Sequence, residues 1–447
     1  MKVQSIARSS QIRYSRRQVL RQGAAIGALA ALASLAAGCG IIRTSAPTKL
    51  TVLTHWGDKP LQDVMQPILK EYEKQTPSVQ IDYQTVDFDH LLTRITTGRA
   101  AGVHPDVYHV YALWLPDFAA SQVMAKPPTD VVNDIQQSYT KGSADAVTYK
   151  GQLWGYPTEV DCYLLLYNKQ MYQASGIEKP PATWDELKDV AGRLTRRGAD
   201  GKIQQAGMIY MPGWDSGVVH PFTAFLWSNG GEYVAGDYSK VLFNQEPGQQ
   251  TLQMELDLIN QVKAVDLGIK MNDFLAGKGA QITMANWWRA ALQKGFPGSL
   301  ANVGVAPFPH GNGPVSTLQY NWLWIVDQAT KIPDAAWAFL KWMNSPSSAG
   351  GSSPIGNFLL TALGVIPARR GDQQAHQDVL GDSFLKPFVD ALQYARPEPI
   401  LPGGQEIKTT LQKQIEAAWF GQKSPKEALD TAASEANKII ADKSRQS

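Results

Sequence analysis

Hydrophobic and polar positions follow two rhythms between residues 49 and 110. Residues 49–55, 79–86 and 105–110 alternate every second position or form short apolar runs, which is typical of β-strands. Residues 60–75 and 91–101 carry apolar side chains at three- and four-residue spacing, which predicts amphipathic helices. The order strand, helix, strand, helix, strand predicts parallel strands covered by helices.

The same rhythms return after residue 150. A short apolar run at 163–167 predicts a buried strand. Thr183 with Glu186, and Ser424 with Glu427, predict two capping boxes, in which the first side chain caps the helix and the Glu reaches back to its amide. Helices are predicted in four segments: 184–198, 250–265, 333–343 and the segment from Pro425 to about residue 440. The chain is therefore predicted to be an α/β protein.

The first 38 residues have the pattern of an export signal. They carry six basic residues and no acidic residue, and positions 23–38 are small and apolar. Residues 15–20 (SRRQVL) resemble the twin-arginine export motif. Residues 35–39 (LAAGC) resemble a lipobox, so we expect cleavage after residue 38, acylation of Cys39 and a lipidated tether over 39–48. Cleavage by an ordinary signal peptidase, which would release a free secreted protein, is the alternative.

Charge and cysteine content narrow the function classes. The chain of 447 residues is long enough for two or three domains. Without the signal its formal charge is −4, and no basic block occurs, so nucleic acid is not an expected partner. Cys39 and Cys162 are the two cysteines. Because Cys39 is assigned to the lipid, Cys162 is expected to be a small buried apolar group.

Sequence signatures of catalysis are absent. No serine has a glycine two positions away on both sides, and no His-Glu-x-x-His motif occurs. The segment 277–279 (GKG) lacks the Ser or Thr that a phosphate-binding loop requires. We therefore predict no catalytic residue, no cofactor and no metal site. A secreted carbohydrate-active enzyme that uses paired carboxylates is the alternative from a different class.

Several short phrases resemble one family in order and spacing. The resemblance runs from residue 49 to about 440, with family 1 extracellular solute-binding proteins of the maltose-binding-protein type. The phrases that carry it include 151–157 (GQLWGYP), 167–169 (YNK), 180–187 (PPATWDEL), 277–284 (GKGAQITM) and 336–341 (AWAFLK). Each phrase is weak alone, and their shared register makes the resemblance specific.

The resemblance implies a two-lobed α/β fold of the type II periplasmic-binding-protein kind, with parallel-rich sheets flanked by helices. It places lobe one at 48–160 and 316–365, and lobe two at 161–315 and 366–447, with the ligand in the cleft between them. It implies a monomeric, extracytoplasmic component of an ATP-binding-cassette importer, which captures a carbohydrate by hinge closure and delivers it to the membrane permease. A polyol phosphate or another small solute is the alternative ligand.

Aromatic residues and carboxylates at strand ends are the candidate ligand contacts, because sugars present apolar faces and hydroxyl groups. Several have a structural alternative: Asp87 could cap a helix, Trp114 could pack under one, and one Trp of positions 287 and 288 could lie in the core. Glu159 lies beside Asp161 on the first crossover, and Arg289 is the candidate for a phosphate ligand. The double Trp at 287 and 288 departs from the small-residue turn that is usual in the family. The candidate ligand contacts are Trp56, Asp58, Asp87, Tyr111, Trp114, Asp161, Trp214, Asp215, Trp287, Trp288, Tyr320 and Trp322.

Overall fold

The computed structural model describes residues 46–296, 298, 300–348 and 351–445. The predicted export signal 1–38 and Cys39 lie outside the described residues, as does most of the predicted tether 39–48.

Thirteen strands lie in the described residues. They are β1 (Thr48–Thr54), β2 (Val79–Thr85), β3 (Val107–Tyr111), β4 (Thr148–Tyr149), β5 (Gln152–Leu153), β6 (Tyr156–Asn168), β7 (Arg196–Arg197), β8 (Ile203–Gln205), β9 (Gln281–Ala285), β10 (Val303–Ala306), β11 (Thr317–Val326), β12 (Ile366–Pro367) and β13 (Ala395–Pro397).

Seventeen α-helices lie in the same part of the chain, together with short 3-10 turns at Ala112–Trp114, Met271–Asp273, Asn286–Trp288 and Leu300–Asn302 and a π turn at Leu359–Leu363. The helices are α1 (Lys59–Gln75), α2 (Phe88–Ala100), α3 (Leu115–Ala120), α4 (Thr129–Ser138), α5 (Lys141–Asp145), α6 (Lys169–Ala174), α7 (Trp184–Leu194), α8 (Asp215–Ser228), α9 (Glu246–Asn260), α10 (Arg289–Gly295), α11 (Pro333–Met343), α12 (Pro354–Phe358), α13 (Arg370–Ala375), α14 (Gln377–Leu380), α15 (Leu385–Ala391), α16 (Gly404–Trp419) and α17 (Pro425–Ser444).

The N-terminal strands form the parallel sheet that their rhythm predicts. β1 pairs in parallel with β2 along its whole length and with β3 at Val52 and Leu53. Leu50, Val52 and Leu53 are almost completely buried, because helices cover the sheet. The prediction of strand, helix, strand, helix, strand for this region is confirmed.

One long strand, β6, connects this sheet to a second one, and β11 pairs beside its first half. The first half of β6, up to Cys162, pairs antiparallel with β11 and β12. Its second half, from Tyr163, pairs antiparallel with β9 and β10. β11 pairs with β3 at one end and with β13 at the other. We call the paired segment of β6 and β11 the crossover ribbon.

The sheet pairing is mixed, which corrects the expectation of parallel-rich sheets. Parallel pairs join β1 to β2 and β3, and β11 to β13, whereas the pairs of β6 are antiparallel. The reason is that β6 and β11 run in opposite directions. The sequence showed the apolarity of these strands but not their direction.

Element boundaries differ from the predictions where polar residues occupy strands. The apolar run 163–167 is only the end of β6, whose first half contains Glu159 and Asp161 and therefore lacks a strand-like apolar run. α7 ends at Leu194 instead of residue 198, because β7 and β8 form a hairpin directly afterwards. Both predicted capping boxes are confirmed by reciprocal hydrogen bonds.

α8 carries part of the site described below. Its residues from Ser216 to Ser228 are all buried, because it packs against β11, α9 and α16. A helix that is enclosed on every side is apolar all round. The polar residues that it does contain therefore need partners inside the protein. No helix in the described part of the chain is long and apolar enough to span a membrane.

Candidate functional site

A cavity of about 450 Å³ opens beside the crossover ribbon. Loops and strand ends from both sheets contribute to its wall. The lining combines seven aromatic side chains of Trp, Tyr and Phe with four carboxylic acids. The lining residues are His55, Trp56, Asp58, Leu61, Phe88, Asp89, Tyr111, Glu159, Asp161, Trp214, Ser216, Met271, Trp287, Tyr320, Trp322, Leu363 and Val365.

Trp322 is the centre of one aromatic wall. The pairing of β11 with β6 shifts register between Asn321 and Leu323, where two residues of β6, Thr158 and Glu159, lie opposite Trp322. Trp322 is two positions from Tyr320 on β11, so both side chains lie on the face that lines the cavity. The ring of Trp322 lies 4.4 Å from that of His55 and stacks on Tyr111 at 5.4 Å, measured between ring centroids. This packing fixes the orientation of the indole.

A second aromatic wall comes from the other sheet. Trp214 immediately precedes α8, and Trp287 lies in the 3-10 turn that follows β9. Their rings meet edge to face, with centroids 5.9 Å apart and an interplanar angle of 83°. Both side chains are half-buried and line the cavity. They present apolar faces of the kind that stack on sugar rings.

Two buried carboxyl groups lie on the crossover ribbon. Glu159 and Asp161 are two positions apart on β6, so both side chains face the cavity. One oxygen of Asp161 accepts a hydrogen bond of 2.8 Å from Asn286, and Oε2 of Glu159 lies 3.5 Å from Nε2 of His109. No described residue donates a hydrogen bond to that Glu159 oxygen.

Both of these acids resist ionisation. Burial raises the pKa of Glu159 to about 8. Burial, together with the charge of Glu159, raises the pKa of Asp161 well above its ordinary value. Burial also lowers the pKa of His109, so this imidazole is neutral and supplies no compensating charge. The pair therefore holds protons near neutral pH.

Two exposed acids stand at the rim. Asp58 is the N-cap residue of α1, yet its side chain makes no capping hydrogen bond. Asp89 lies in the first turn of α2. Both carboxylates occupy helix N-termini, where the helix dipole favours negative charge. They are free to accept hydrogen bonds from a ligand.

A buried ionic network lies behind Tyr111 and Ser216. The ammonium of Lys408 on α16 donates to Ser216 Oγ at 2.9 Å and to Tyr111 Oη at 3.1 Å. It also lies 2.7 Å from His220 Nε2 and 3.5 Å from Glu398. Tyr111 donates a further hydrogen bond to Glu398. We call these five residues the Lys408 network.

The Lys408 network keeps its carboxylate ionised. Burial alone would raise the pKa of Glu398, but the charge of Lys408 and the contacts with His220 and Tyr111 lower it to about 2. Burial and the charge of Lys408 lower the pKa of His220, which is neutral. The network is thus a hydrogen-bonded ion pair of Lys408 and Glu398, held against the back of the cavity wall.

Eight of the twelve predicted contact residues line the cavity, and four lie outside it. The side chain of Asp87 is 93% exposed and makes no capping hydrogen bond. Trp114 is buried and donates to Gln405 at 3.0 Å, and Asp215 accepts from the same Gln405 at 2.6 Å. Trp288 is buried in the second core, near Phe274. The eight lining residues are Trp56, Asp58, Tyr111, Asp161, Trp214, Trp287, Tyr320 and Trp322.

Sequence reasoning missed the polar residues behind the wall. Lys408 and Glu398 lie in segments without a recognisable motif, so their burial had no signal. Ser216 and His55 also line the cavity, although the sequence gives neither a signal of ligand contact. Glu159, which the sequence places beside Asp161, lines the cavity as well. In the described part of the chain, no group of three or more His, Cys, Asp or Glu side chains could hold a metal ion.

Solved structures with a similar fold define the class of protein. A solute-binding protein of an ATP-binding-cassette transporter from Thermotoga lettingae, solved with α-D-tagatose, superposes with a TM-score of 0.78 at 22% identity, over 88% of this chain and 100% of that one. A substrate-binding protein from Listeria monocytogenes, solved with cycloalternan, superposes with a TM-score of 0.75 at 19% identity, over 88% and 99%. The fold is that of two-lobed solute-binding proteins.

A match between the sequence and a family model identifies the family. Residues 58–350 match the bacterial extracellular solute-binding proteins, and the chain belongs to that family. Membership places the protein outside the cytoplasm.

Three relatives show the range of the family. A putative binding protein of Brucella abortus is 24% identical, over 83% of this chain and 89% of its own length. A maltotriose-binding protein of Pyrococcus abyssi is 22% identical, over 76% and 70%. An sn-glycerol-3-phosphate-binding periplasmic protein of Salmonella typhimurium is 25% identical, over 77% and 82%.

Proposed function

We propose that this protein captures a carbohydrate outside the cytoplasm and delivers it to the permease of an ATP-binding-cassette importer. One observation carries the proposal: the cavity brings two aromatic walls and a pair of buried carboxyl groups to one place. Aromatic faces cover the apolar C–H face of a sugar, and carboxyl groups bind its hydroxyls. The maltotriose-binding relative and the sugar-bound structural neighbours support the same ligand class.

Hinge closure is the proposed mechanism. The proposed lobes are 48–160 with 316–365, and 161–315 with 366–447, and they meet at the crossover ribbon. Trp322 then belongs to lobe one, and Trp214 and Trp287 belong to lobe two. A ligand that contacts both aromatic walls stabilises the closed state, because it binds that state more tightly than the open one. The closed monomer would then dock on the permease.

A polyol phosphate is the second candidate ligand, since one relative binds sn-glycerol-3-phosphate. The composition of the wall favours the neutral sugar instead. No Lys or Arg is among the residues that line the cavity. Arg289, the residue predicted for a phosphate, lies outside the cavity and donates to Asp382 at 2.5 Å. The helix N-termini at the rim already carry Asp58 and Asp89, which would repel a phosphate.

A ligand screen followed by substitution tests the proposal. In a thermal-shift assay, a ligand present at about 100 times its Kd should add roughly 2.7 kcal/mol to the free energy of unfolding. We expect a shift with mono- or oligosaccharides, and its loss in Trp322→Ala. Trp342→Ala is the matched control, because Trp342 lies outside the cavity and bonds Gln75. A shift with glycerol phosphates and none with sugars would contradict the proposal.

The same samples address the enzyme alternative. The bound sugar should be recovered unchanged after prolonged incubation, because binding alone is proposed. Cleavage of an oligosaccharide that is lost in Glu159→Gln would favour a carbohydrate-active enzyme instead.

We propose further that export removes residues 1–38 and that Cys39 is acylated, which would anchor the protein to the membrane through the tether. More than one alkyl chain on this residue would give stable anchoring. Radiolabelled fatty acid should be incorporated into the wild-type protein and not into Cys39→Ala. Equal release of both proteins into the medium would contradict the anchor.

A further inference from the structure

The cavity wall has four acidic side chains and no basic one other than a histidine. Asp58, Asp89, Glu159 and Asp161 line it, and no lysine or arginine does. His55 is the one histidine among the lining residues, and burial together with the nearby His109 lowers its pKa well below the ordinary value. The imidazole is therefore neutral, and the wall offers a ligand acids without a resident cation.

The cation behind the wall does not change this sign. Lys408 reaches the cavity only through Ser216 and Tyr111, to which its ammonium donates. Its charge is matched by the ionised Glu398, and Asp215 is a further acid whose pKa falls, against the effect of burial, because of Lys408. The acids therefore outnumber the cation in the surroundings of the cavity.

Unpartnered polar atoms accompany the acids. Oε2 of Glu159 is buried in a residue that is 4% exposed, and no described residue donates to it. Nδ1 of His55 and Nε1 of Trp56 are also buried without a partner. These atoms have no surface open to the cavity, and Oε2 of Glu159 faces the neutral His109 at 3.5 Å. What the cavity presents to a ligand is therefore an acid pair without a resident cation.

The aromatic faces in the cavity also favour a positively charged ligand. Trp322, Tyr111 and Tyr320 line the cavity on the side of the crossover ribbon, and Trp214 and Trp287 line it from the other sheet. The face of an aromatic ring attracts a cation, most strongly when water is excluded. Carboxyl groups and ring faces in one enclosure suit an ammonium group better than a hydroxyl.

We propose that the preferred ligand is an amino sugar, a carbohydrate whose protonated amine lies between the carboxyl groups of Glu159 and Asp161 and the aromatic rings. This inference rests on the proposed function, because it assigns the charge of the sugar that the site binds. A neutral sugar would leave the acid pair protonated and without a counter-ion.

Proton release is a consequence of this arrangement. In the empty cavity the pair is protonated near neutral pH, since the pKa of Glu159 is about 8 and that of Asp161 is raised. An ammonium favours the ionised form, so its binding expels a proton and tightens as the pH rises, until the amine itself deprotonates. Titratable or charged groups surround Glu159 and Asp161 on several sides. The strands contribute His109 from β3, Tyr320 from β11 and Tyr163 from β6. The loops and helix ends contribute His55, Asp58 and Asp89, and Asp215, Glu398 and Lys408 lie behind the wall.

Matched sugars test the proposal by calorimetry on the purified protein. The pairs are glucose with glucosamine, galactose with galactosamine, mannose with mannosamine, and cellobiose with the diamine chitobiose. We expect at least one amine to bind tenfold more tightly than its neutral partner at pH 7 and low salt. Its binding heat should vary with the ionisation enthalpy of the buffer, which reports proton release.

Variants and a non-sugar amine separate the possible outcomes. Glu159→Gln with Asp161→Asn should abolish the preference and the proton release, whereas Glu255→Gln, a buried acid away from the cavity, should keep both. Neutral sugars that bind as tightly as the amines would overturn this inference and leave the proposed function standing. Choline that binds where no sugar does would overturn the proposed function and support the charge preference. Silence of every probe would overturn both.

Discussion

One set of carboxyl groups lines the cavity and another lies behind its wall, and the pKa values of the two sets are shifted in opposite directions. Glu159 and Asp161 have raised pKa values because burial is not offset by any cation. Glu398 is equally enclosed, yet its pKa falls to about 2 because Lys408 and His220 lie against it. The difference shows that burial alone does not decide the charge of an acid. The partner decides it.

Removal of Lys408 should have the largest effect, because Glu398 would then be as unpaired as Glu159. Lys408→Met should lower the free energy of unfolding by about 3–5 kcal/mol, because Glu398 and Asp215 lose their buried counter-ion. Urea denaturation at pH 7 measures this. Lys413→Met, an exposed position on the same helix, is the control and should change little. Adding Glu398→Gln to Lys408→Met should recover part of the loss, and a loss under about 1 kcal/mol in the single variant would refute the role of the network.

Acid titration tests whether the pKa of Glu398 is lowered in the folded protein. Because its folded pKa lies below the ordinary value, it stabilises the fold above about pH 4.5, and that stability disappears as the pH falls through about 2. The wild-type protein should therefore lose about 3 kcal/mol more than Glu398→Gln between pH 5 and pH 2. Glu435→Gln, at an exposed position on α17, should retain the wild-type profile. Parallel profiles for the wild type and Glu398→Gln would argue against the lowered pKa.

Alkaline titration sharpens the behaviour of Glu159. Its folded pKa is raised, so its contribution is intact below about pH 4.5 and is lost as the pH rises through about 8. Glu159→Gln should therefore be more stable than the wild type at pH 9 and similar to it near pH 4. Glu255→Gln provides a matched comparison, since burial also raises the pKa of Glu255 to about 8. A Glu159→Gln variant that is less stable at pH 9 would show that the carboxylate has a partner.

The smallest expected effect concerns the hydroxyl between the two sets. Ser216→Ala removes one acceptor of the Lys408 ammonium and should lower the free energy of unfolding by about 1 kcal/mol. Ser228→Ala on the same buried helix is the control, because Ser228 donates only to the carbonyl of Phe225. Equal losses in the two variants would mean that Lys408 does not depend on Ser216.

The sequence predicted local elements well and long-range partners poorly. The βαβ order and both capping boxes depend on neighbouring residues, so their patterns were readable. The bulge of β6 opposite Trp322 and the antiparallel path of β6 depend on pairing between distant segments. Trp287 and Trp288 are adjacent, yet one lines the cavity and the other is buried in the core, and only the turn geometry separates them. The burial of Lys408 and Glu398 had no local signal at all.

The crossover ribbon has a mechanical consequence. Two hydrogen-bonded strands form a hinge that is flexible in one direction. Backbone torsion lets them twist and bend out of the sheet plane, whereas bending within the plane would stretch their hydrogen bonds. Under the proposed hinge closure, Glu159 and Asp161 lie in the flexing section and would move least, and the walls that carry Trp322 and Trp214 would move most. Glu159 and Asp161 would then contact a ligand first. The aromatic walls would determine how strongly the ligand stabilises the closed state.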